Sequence, residues 1–289
     1  MNNISSSILL EKGEKSLKKT SPTPRLDSEI LLANILKMER IHFYTKEIFP
    51  NRKEVQEYNK DIKKRSKGMP IAYLIGSKEF WSLQMQVNKH TLIPRPETEH
   101  LVELALSHLV DLKKNYKILE LGTGCGAIAI ALAHERPNAK IYATDISVEA
   151  IRSAKDNSQC LDVENIQFIC SNWFDAITTT KFNLIISNPP YINEKNINDY
   201  DSLSLSYEPK IALFADNHGL NCVKKVIGNS IKYLEKDGWL MIEHGYDQAN
   251  HCGQFMKSAM LHNINTINDL SGNNRVTEGQ KIKFISCLH

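Results

Sequence analysis

The chain has no long hydrophobic run. Its most sustained small-apolar stretch, GAIAIALA from Gly126 to Ala133, falls far short of the roughly 20 residues that a membrane-spanning helix needs. No transmembrane segment or membrane partner is therefore expected. The amino-terminal MNNISSSILLEKGEK has neither the basic start nor the apolar stretch ending in small residues of a secretory signal, so a cytoplasmic protein is expected. Cysteines are few: the six, at 125, 160, 170, 222, 252 and 287, form no C-x-x-C, which argues against a disulfide framework or a zinc knuckle and for reduced thiols. The ten histidines show no H-E-x-x-H or other paired spacing, and His251 beside Cys252 makes no persuasive chelate, so no metal is expected. Neither sign of charge is in large excess. A net +3 neither demands nor excludes an acidic partner. Internal repeats and low-complexity tracts are absent. What remains, 289 residues of which 42% are hydrophobic and 24% charged, is an ordinary globular composition, long enough for two domains or for one with an extension.

From Ile8 to about Gly68 the pattern is helical and basic. In TPRLDSEILLANILKM the residues Leu26, Ile30, Ala33 and Leu36 fall at three- and four-residue spacings and predict the buried face of one helix. In NRKEVQEYNKDIKKRSKG, Asn51 and Glu54 form a capping pair, and Gly68 followed by Pro70 gives a stop. Lysine-rich faces here read first as solvated surface and second as a docking patch. EFWSLQMQVNKHTLIPRPETEH then offers two short runs separated by NKH, a β-hairpin leading into a helix that Pro96 and the acidic Glu97 and Glu99 would start and that runs to about Leu112. After Lys117 the runs KILEL, KIYATD, IQFIC, FNLIIS and WLMIE alternate with helical stretches, which predicts an α/β fold with a parallel sheet. Near the end, INTIND and KIKFISCLH flank the Gly- and Asn-rich LSGNNRVTEGQ and predict a terminal hairpin added to that sheet.

The segment ILELGTGCGAIAIALA reads as strand, glycine loop, helix. Gly122, Gly124 and Gly126 let backbone amides at a helix N-terminus approach a ligand with no Cβ in the way, and Thr123 and Cys125 belong to the same loop. A tight strand-to-helix turn is the plain alternative. Asp145, ending the next strand, follows Gly122 at close to the roughly 20-residue offset of an acid that binds ribose hydroxyls. FNLIIS is the fourth strand, and it ends at the same carboxyl edge as the glycine loop, with Asn188, Pro189, Pro190 and Tyr191 directly after it. Prolines carry no N–H and fix φ, so Pro189 and Pro190 make a stiff, extended loop rich in acceptors. A planar –NH2 group would be held by the Asn188 side-chain oxygen and the Pro189 carbonyl, against the aromatic face of Tyr191. Such a nitrogen has a delocalised lone pair and is a poor nucleophile, so orientation toward an electrophile is the main task of a catalyst.

The spacing G-x-G-x-G after Glu120 resembles the Rossmann-like methyltransferases, whose loop meets S-adenosyl-L-methionine. That resemblance implies that Asn188 also lies at the cofactor, that Asp145 holds its ribose, and that Asn172 and Trp173 in CSNWF contact adenine; many relatives have an acidic residue where this chain has Asn172. N-P-P-Y motifs occur in enzymes that methylate adenine N6 and in those that methylate glutamine. GMPIAYLIGSKEFW, TLIPRPETE, YEP at Tyr207 to Pro209 and DLSGNNRV at Asp269 to Val276 closely resemble the glutamine N5-methyltransferases of peptide chain release factors, over essentially the whole chain. The resemblance implies a helical substrate-docking domain (1–72), a β-hairpin linker (73–95) and a Rossmann-like methyltransferase domain (96–289). It also implies methyl transfer to the glutamine of the Gly-Gly-Gln motif of class 1 release factors, modulating translation termination, without direct nucleic-acid binding. A sister family acting on a large-subunit ribosomal protein ranks second and an adenine N6-methyltransferase third; a scaffold that binds cofactor without turnover is the non-enzymatic alternative.

Overall fold

The computed structural model describes residues 4–193 and 202–282. These fall into two compact units, one drawn from residues 1–77 and 201–207, the other from 78–200 and 208–289.

The first unit is helical, with its longest helices at Ser6–Leu17, Pro24–Leu36 and Arg52–Arg65. Leu9, Leu10, Leu17, Leu31, Leu32, Tyr58 and Ile62 form its core. The helix Arg52–Arg65 starts with the expected reciprocal cap, in which Glu54 N–H donates to Asn51 Oδ1 at 3.0 Å and Asn51 N–H donates to Glu54 Oε2 at 2.7 Å. The face that Pro24–Leu36 buries differs from the expected stripe. Leu26 is exposed and Ile30 half-buried, whereas Asp27, Ser28 and Glu29 are buried beside Leu31 and Leu32. Partners make that burial tolerable: Asp27 Oδ2 accepts from Arg65 Nε and Ser21 Oγ, both at 2.7 Å, and Glu29 Oε1 from Arg25 Nε at 2.8 Å. Polar residues satisfied inside a core erase the apolar periodicity on which the expectation rests.

A two-stranded hairpin, β1 (Ser77–Phe80) and β2 (Leu83–Gln86), turns at Trp81–Ser82 rather than at Asn88–His90. Both turn residues have positive φ, 54° and 58°, the conformation a two-residue hairpin turn demands. The usual Asn-Gly signal is missing, so the turn was hidden. The end of β2 is pinned by Asn157, whose Oδ1 accepts from Gln86 N–H at 2.7 Å and whose Nδ2 donates to Gln86 O at 3.0 Å.

The main sheet, seven-stranded among the described residues, comprises β3 (Lys117–Leu121), β4 (Lys140–Asp145), β5 (Ile166–Cys170), β6 (Phe182–Ser187), β7 (Leu234–Glu243), β8 (His262–Asn268) and β9 (Asn274–Gln280) in the order β5-β4-β3-β6-β7-β9-β8. The first five are mutually parallel; β9 lies antiparallel between β7 and β8. The five apolar runs form the expected strands; β3, β6 and β7 supply continuous buried rows, as in Leu184, Ile185 and Ile186 of β6, while β5, at the edge of the sheet, has no fully buried residue. Two boundaries move. The helix after Pro96 is a 3-10 turn, Pro96–Thr98, followed by Glu99–His108, so it stops short of Leu112. In the terminal hairpin the second strand is NRVTEGQ itself, not KIKFISCLH, most of which (283–289) lies outside the described residues. Val276, Thr277 and Glu278 are buried in β9, and polar side chains in an interior strand concealed it.

The order reverses direction between β3 and β6, which pair with Leu121 opposite Ser187. Loops leaving these two strands thus open side by side at the carboxyl edge, where ligands of such sheets bind.

Candidate active site

The loop after β3 is built from its own backbone. Gly122 and Thr123 N–H groups donate to Thr144 O at 2.8 and 2.9 Å, which ties the loop to the end of β4. Gly122, Gly124 and Gly126 have φ of 77°, 56° and 87°, values that glycine alone adopts without strain. Their environments differ. Gly122 and Gly124 line a cavity of about 230 Å³. A Cβ on Gly124 would meet no atom within 4 Å, whereas one on Gly126 would sit 3.1 Å from Ala154 Cβ, so Gly126 serves helix packing. Thr123 and Cys125 point into the protein: the Thr123 hydroxyl donates to Glu120 Oε2 at 2.6 Å, and the Cys125 carbonyl accepts from Asn157 Nδ2 at 2.9 Å. Glu120 also accepts from Ala129 N–H at 3.0 Å, and burial pushes its carboxyl up to about 7. This acid fixes the loop and the first turn of the helix Ala127–Glu135 without reaching the cavity.

Asp145 is at the cavity wall. Its two oxygens accept from Gly124 N–H and Ser147 N–H, each at 2.9 Å. Burial raises the carboxyl above its ordinary value, opposed by these amides. Each oxygen keeps a lone pair for a further donor, so the group can receive ligand hydroxyls while already held in place. Trp173 and Asn172 also line the cavity. Trp173 has a positive φ of 56°, and its ring edge comes within 3.8 Å of where a Gly122 Cβ would be. Asn172 is exposed and its Oδ1 accepts from Lys225 Nζ at 3.4 Å.

Asn188 and Pro190 line the same cavity, while Pro189 and Tyr191 do not. The Asn188 Nδ2 donates to Thr98 Oγ1 at 3.2 Å, leaving Oδ1 on the other branch of the amide as an acceptor. The Tyr191 hydroxyl donates to Glu243 Oε1 at 3.4 Å, and its carbonyl accepts from Gln248 Nε2 at 3.0 Å. Glu243, the last residue of β7, is buried, and burial pushes its carboxyl up to about 7 against the pull of Thr98 and Arg275.

Other cavity residues were not among the expected site residues: His90, Thr91 and Leu92 from the segment after β2, of which the last two open TLIPRPETE, and Ile211, Ala212, Phe214 and Cys222 from the stretch after YEP. Arg95 and Glu208 belong to TLIPRPETE and YEP. Glu208 is buried; its Oε1 accepts from Arg95 Nη2 at 2.5 Å and its Oε2 from Ile93 N–H at 3.0 Å. Arg95 therefore ties the two segments that supply the cavity wall. Among the described residues, no cluster of three or more His, Cys, Asp or Glu is placed to hold a metal ion.

A methyltransferase-domain model matches residues 112–283 and a PrmC N-terminal domain model matches residues 9–76. A solved methyltransferase from Pyrococcus furiosus, 16% identical, superposes with a TM-score of 0.51 over 70% of this chain and 90% of its own; that likeness concerns the fold. S-adenosylmethionine is the cofactor of this domain, and the residues suit it: Asp145 has lone pairs for ribose hydroxyls, Trp173 an aromatic face for a base, and Gly124 a backbone that a close-lying ligand can approach. The release factor glutamine methyltransferase of Buchnera aphidicola subsp. Baizongia pistaciae (strain Bp) is 42% identical over 266 residues, 92% of this chain and 95% of that protein. The release factor glutamine methyltransferase of Aliivibrio fischeri (strain ATCC 700601 / ES114) is 38% identical over 282 residues, 96% of this chain and 98% of that protein. With such identity over nearly the full length, joined to the glycine loop and the N-P-P-Y loop at one cavity, the chain belongs to the release factor glutamine methyltransferase family.

Proposed function

We propose that this enzyme methylates the side-chain amide nitrogen, N5, of the glutamine in the Gly-Gly-Gln motif of class 1 peptide chain release factors. The observation that carries the reading is that Asn188 and Pro190 line the same cavity as Gly122, Gly124 and Asp145, so an acceptor bound by the N-P-P-Y loop and a donor bound by the glycine loop share one space. The names of the 38–42% identical relatives support the choice of substrate.

S-adenosylmethionine, when bound, supplies a methyl carbon on a positively charged sulfur. The chain's own residues prepare the nitrogen. Asn188 Oδ1 and the carbonyl of Pro189, whose ring does not line the cavity but whose carbonyl carbon is bonded to the lining residue Pro190, would accept its two N–H bonds, which orients the nitrogen toward the methyl and favours pyramidal geometry, freeing the lone pair from the amide. The same two acceptors stabilise the positive charge that develops as the N–C bond forms and the C–S bond breaks. The methylated nitrogen then carries one proton too many; it leaves to water, and no strong base is required. Trp173 and Asn172 would face the base of the cofactor and Asp145 its ribose.

Residues 1–72 would dock the folded release factor, with 73–95 as linker and 96–289 as the catalytic domain, because a glutamine at a loop tip offers too few atoms for recognition by itself. The cytoplasm is the proposed location; no helix of the described residues is long and apolar enough to cross a membrane.

Transfer of label from S-adenosylmethionine to a purified class 1 release factor, compared between its Gly-Gly-Gln and Gly-Gly-Ala forms, tests the proposal. Label that depends on the glutamine is expected. Label found instead on a ribosomal protein or DNA control would move the substrate to another planar –NH2, and cofactor binding with no label anywhere would leave only a scaffold.

A further inference from the structure

The Nδ2 branch of Asn188 is held by Thr98, behind which lies Glu243, and the N-P-P-Y motif contains neither. Thr98 ends the turn Pro96–Thr98 and is buried. Glu243 ends β7, and because Ser187 pairs with Ile242, the next residues, Asn188 and Glu243, leave neighbouring strands together. Asn188 Nδ2 donates to Thr98 Oγ1 at 3.2 Å. Thr98 in turn faces the Glu243 carboxyl, whose Oε1 accepts from the Tyr191 hydroxyl at 3.4 Å and whose Oε2 has no hydrogen-bond partner among the described residues.

We propose that Thr98 and Glu243 are positioning residues that fix the side-chain amide of Asn188 with Oδ1, rather than Nδ2, toward the nitrogen to be methylated. This rests on the reading that the acceptor is an amide –NH2. A threonine hydroxyl has one proton and can both accept and donate. Having accepted from Asn188, Thr98 has its proton left to give, and a carboxylate with an open oxygen faces it. Above about pH 7, where the Glu243 carboxyl is ionised, it only accepts, and the chain runs one way: Asn188 N–H to Thr98, Thr98 O–H to Glu243. With the amide reversed, Asn188 would present donors to the donors of the substrate –NH2, and Thr98 would have to serve two acceptors with a single proton. Tyr191 donates to the same carboxylate, so one buried acid orients two members of the motif. Charged groups around it are Arg275, which favours the ionised form, and Glu97, which opposes it. Buried polar chains of this kind specify geometry when every member has its partner.

The test is a comparison of Thr98→Val, Thr98→Ser and Glu243→Gln in the full-length enzyme, assayed well above pH 7 so that Glu243 is ionised in the wild type. Thr98→Val keeps the shape and removes the hydroxyl; it should slow single-turnover methyl transfer by about tenfold or more, while S-adenosylmethionine affinity stays within about twofold. Thr98→Ser restores the hydroxyl and should restore the rate. Glu243→Gln can donate as well as accept, loses the one-way direction, and should slow transfer as Thr98→Val does. A readout independent of turnover is solvent exchange of the Asn188 Nδ2 protons, followed with selectively 15N-asparagine-labelled protein and identified by the resonance missing in Asn188→Asp. Protection in the wild type that Thr98→Val removes and Thr98→Ser keeps is expected. Equal rates and equal exchange in Thr98→Val and wild type, a serine variant as slow as the valine one, or an unaffected Glu243→Gln would each overturn the proposal. If the wild type fails to methylate release factor, the functional reading falls, and the exchange measurement still decides the orientation of Asn188.

Discussion

Alanine at Gly124 and alanine at Gly219 should damage the enzyme in different ways. Both glycines have positive φ, 56° and 80°, a region in which a Cβ costs about 1–2 kcal/mol. At Gly124 that is the whole structural effect, since a Cβ would meet no atom within 4 Å. Gly124→Ala should therefore lose about 1–2 kcal/mol of folding stability, yet its methyl stands where a ligand must approach the backbone, and S-adenosylmethionine affinity should fall by about tenfold or more. Gly219 is a different case. A Cβ there would lie 1.9 Å from the Tyr191 carbonyl oxygen and 2.8 Å from Gln248 Nε2. Backbone must give way, adding about 1–3 kcal/mol of overpacking to the strain, for a total near 2–5 kcal/mol. The displaced group is the Tyr191 carbonyl, which accepts from Gln248 at 3.0 Å, so the N-P-P-Y loop moves while the glycine loop does not. Urea unfolding, calorimetry with S-adenosylmethionine and single-turnover transfer separate the effects. Gly219→Ala should be the less stable variant and slow in transfer, with affinity better preserved than in Gly124→Ala. A Gly219→Ala enzyme as stable and as fast as wild type would refute the close approach of the two loops and, with it, this account of how the motif is held.

Three further outcomes follow from named contacts. Asp145→Ala should weaken S-adenosylmethionine binding by about tenfold to a hundredfold, the worth of hydrogen bonds to a carboxylate; undiminished affinity by calorimetry would contradict the ribose assignment. Glu120 and Glu243 have carboxyls raised by burial from 4.5 to about 7, so the folded state keeps protons that the unfolded chain has released. Their contribution to stability is complete below pH 4.5 and is lost as pH rises through 7, on the order of 3 kcal/mol for each group. Glu120→Gln should flatten that fall, and urea unfolding at pH 5 and pH 8 giving a wild-type slope for the variant would count against it. In the helical unit, Asp27→Ala strands the buried Arg65 guanidinium, whose Nε is 2.7 Å from Asp27 Oδ2. It should lose about 3–5 kcal/mol, whereas a loss near that of an exposed pair would mean that water reaches Arg65.

The legible parts of the molecule are those whose signal is local. β3, β6 and β7 were visible as short apolar runs because they are buried in the middle of the sheet, β4 and the edge strand β5 because they are rich in β-branched and aromatic residues, and Gly122, Gly124 and Asp145 because a tight strand-to-helix turn and a strand end dictate residue type and spacing. Where tertiary partners replace local preference, the signal fades. Asp27, Ser28 and Glu29 face inward because Arg65, Tyr58 and Arg25 meet them, and for Asp27 and Ser28 no helical window of sequence contains both halves of the pair. Trp81 and Ser82 form a turn that asparagine and glycine would ordinarily advertise. β9 carries buried Thr277 and Glu278 and reads as a loop; its place is fixed by two neighbouring strands. A third of the residues lining the cavity come from Ile211 to Phe214 and from His90 to Leu92, which approach Gly124 only through the fold. The motif Asn188 to Tyr191 announced itself, whereas Thr98 stood inside TLIPRPETE with no role attached and Glu243 carried no signal, since they are 90 and 55 positions from Asn188 in the chain.

The insertion of β9 between β7 and β8 has a consequence for how the enzyme comes into being. β3, β4, β5, β6 and β7 can pair in the order in which they are synthesised, and with them the glycine loop, Asp145 and the N-P-P-Y loop are in hand. β8 emerges next but has no place on the sheet, because the strand that joins it to β7 has not yet been made. Until residues 274–280 arrive, β7 is an open edge with unpaired backbone groups, the situation that invites pairing with another chain. Closure brings Arg275 to the Glu243 carboxyl at the same moment. Ribosome-bound chains halted before β9 would thus be able to form the cofactor half of the site while remaining prone to aggregate and unable to settle the electrostatics around the residue that supports Asn188 and Tyr191.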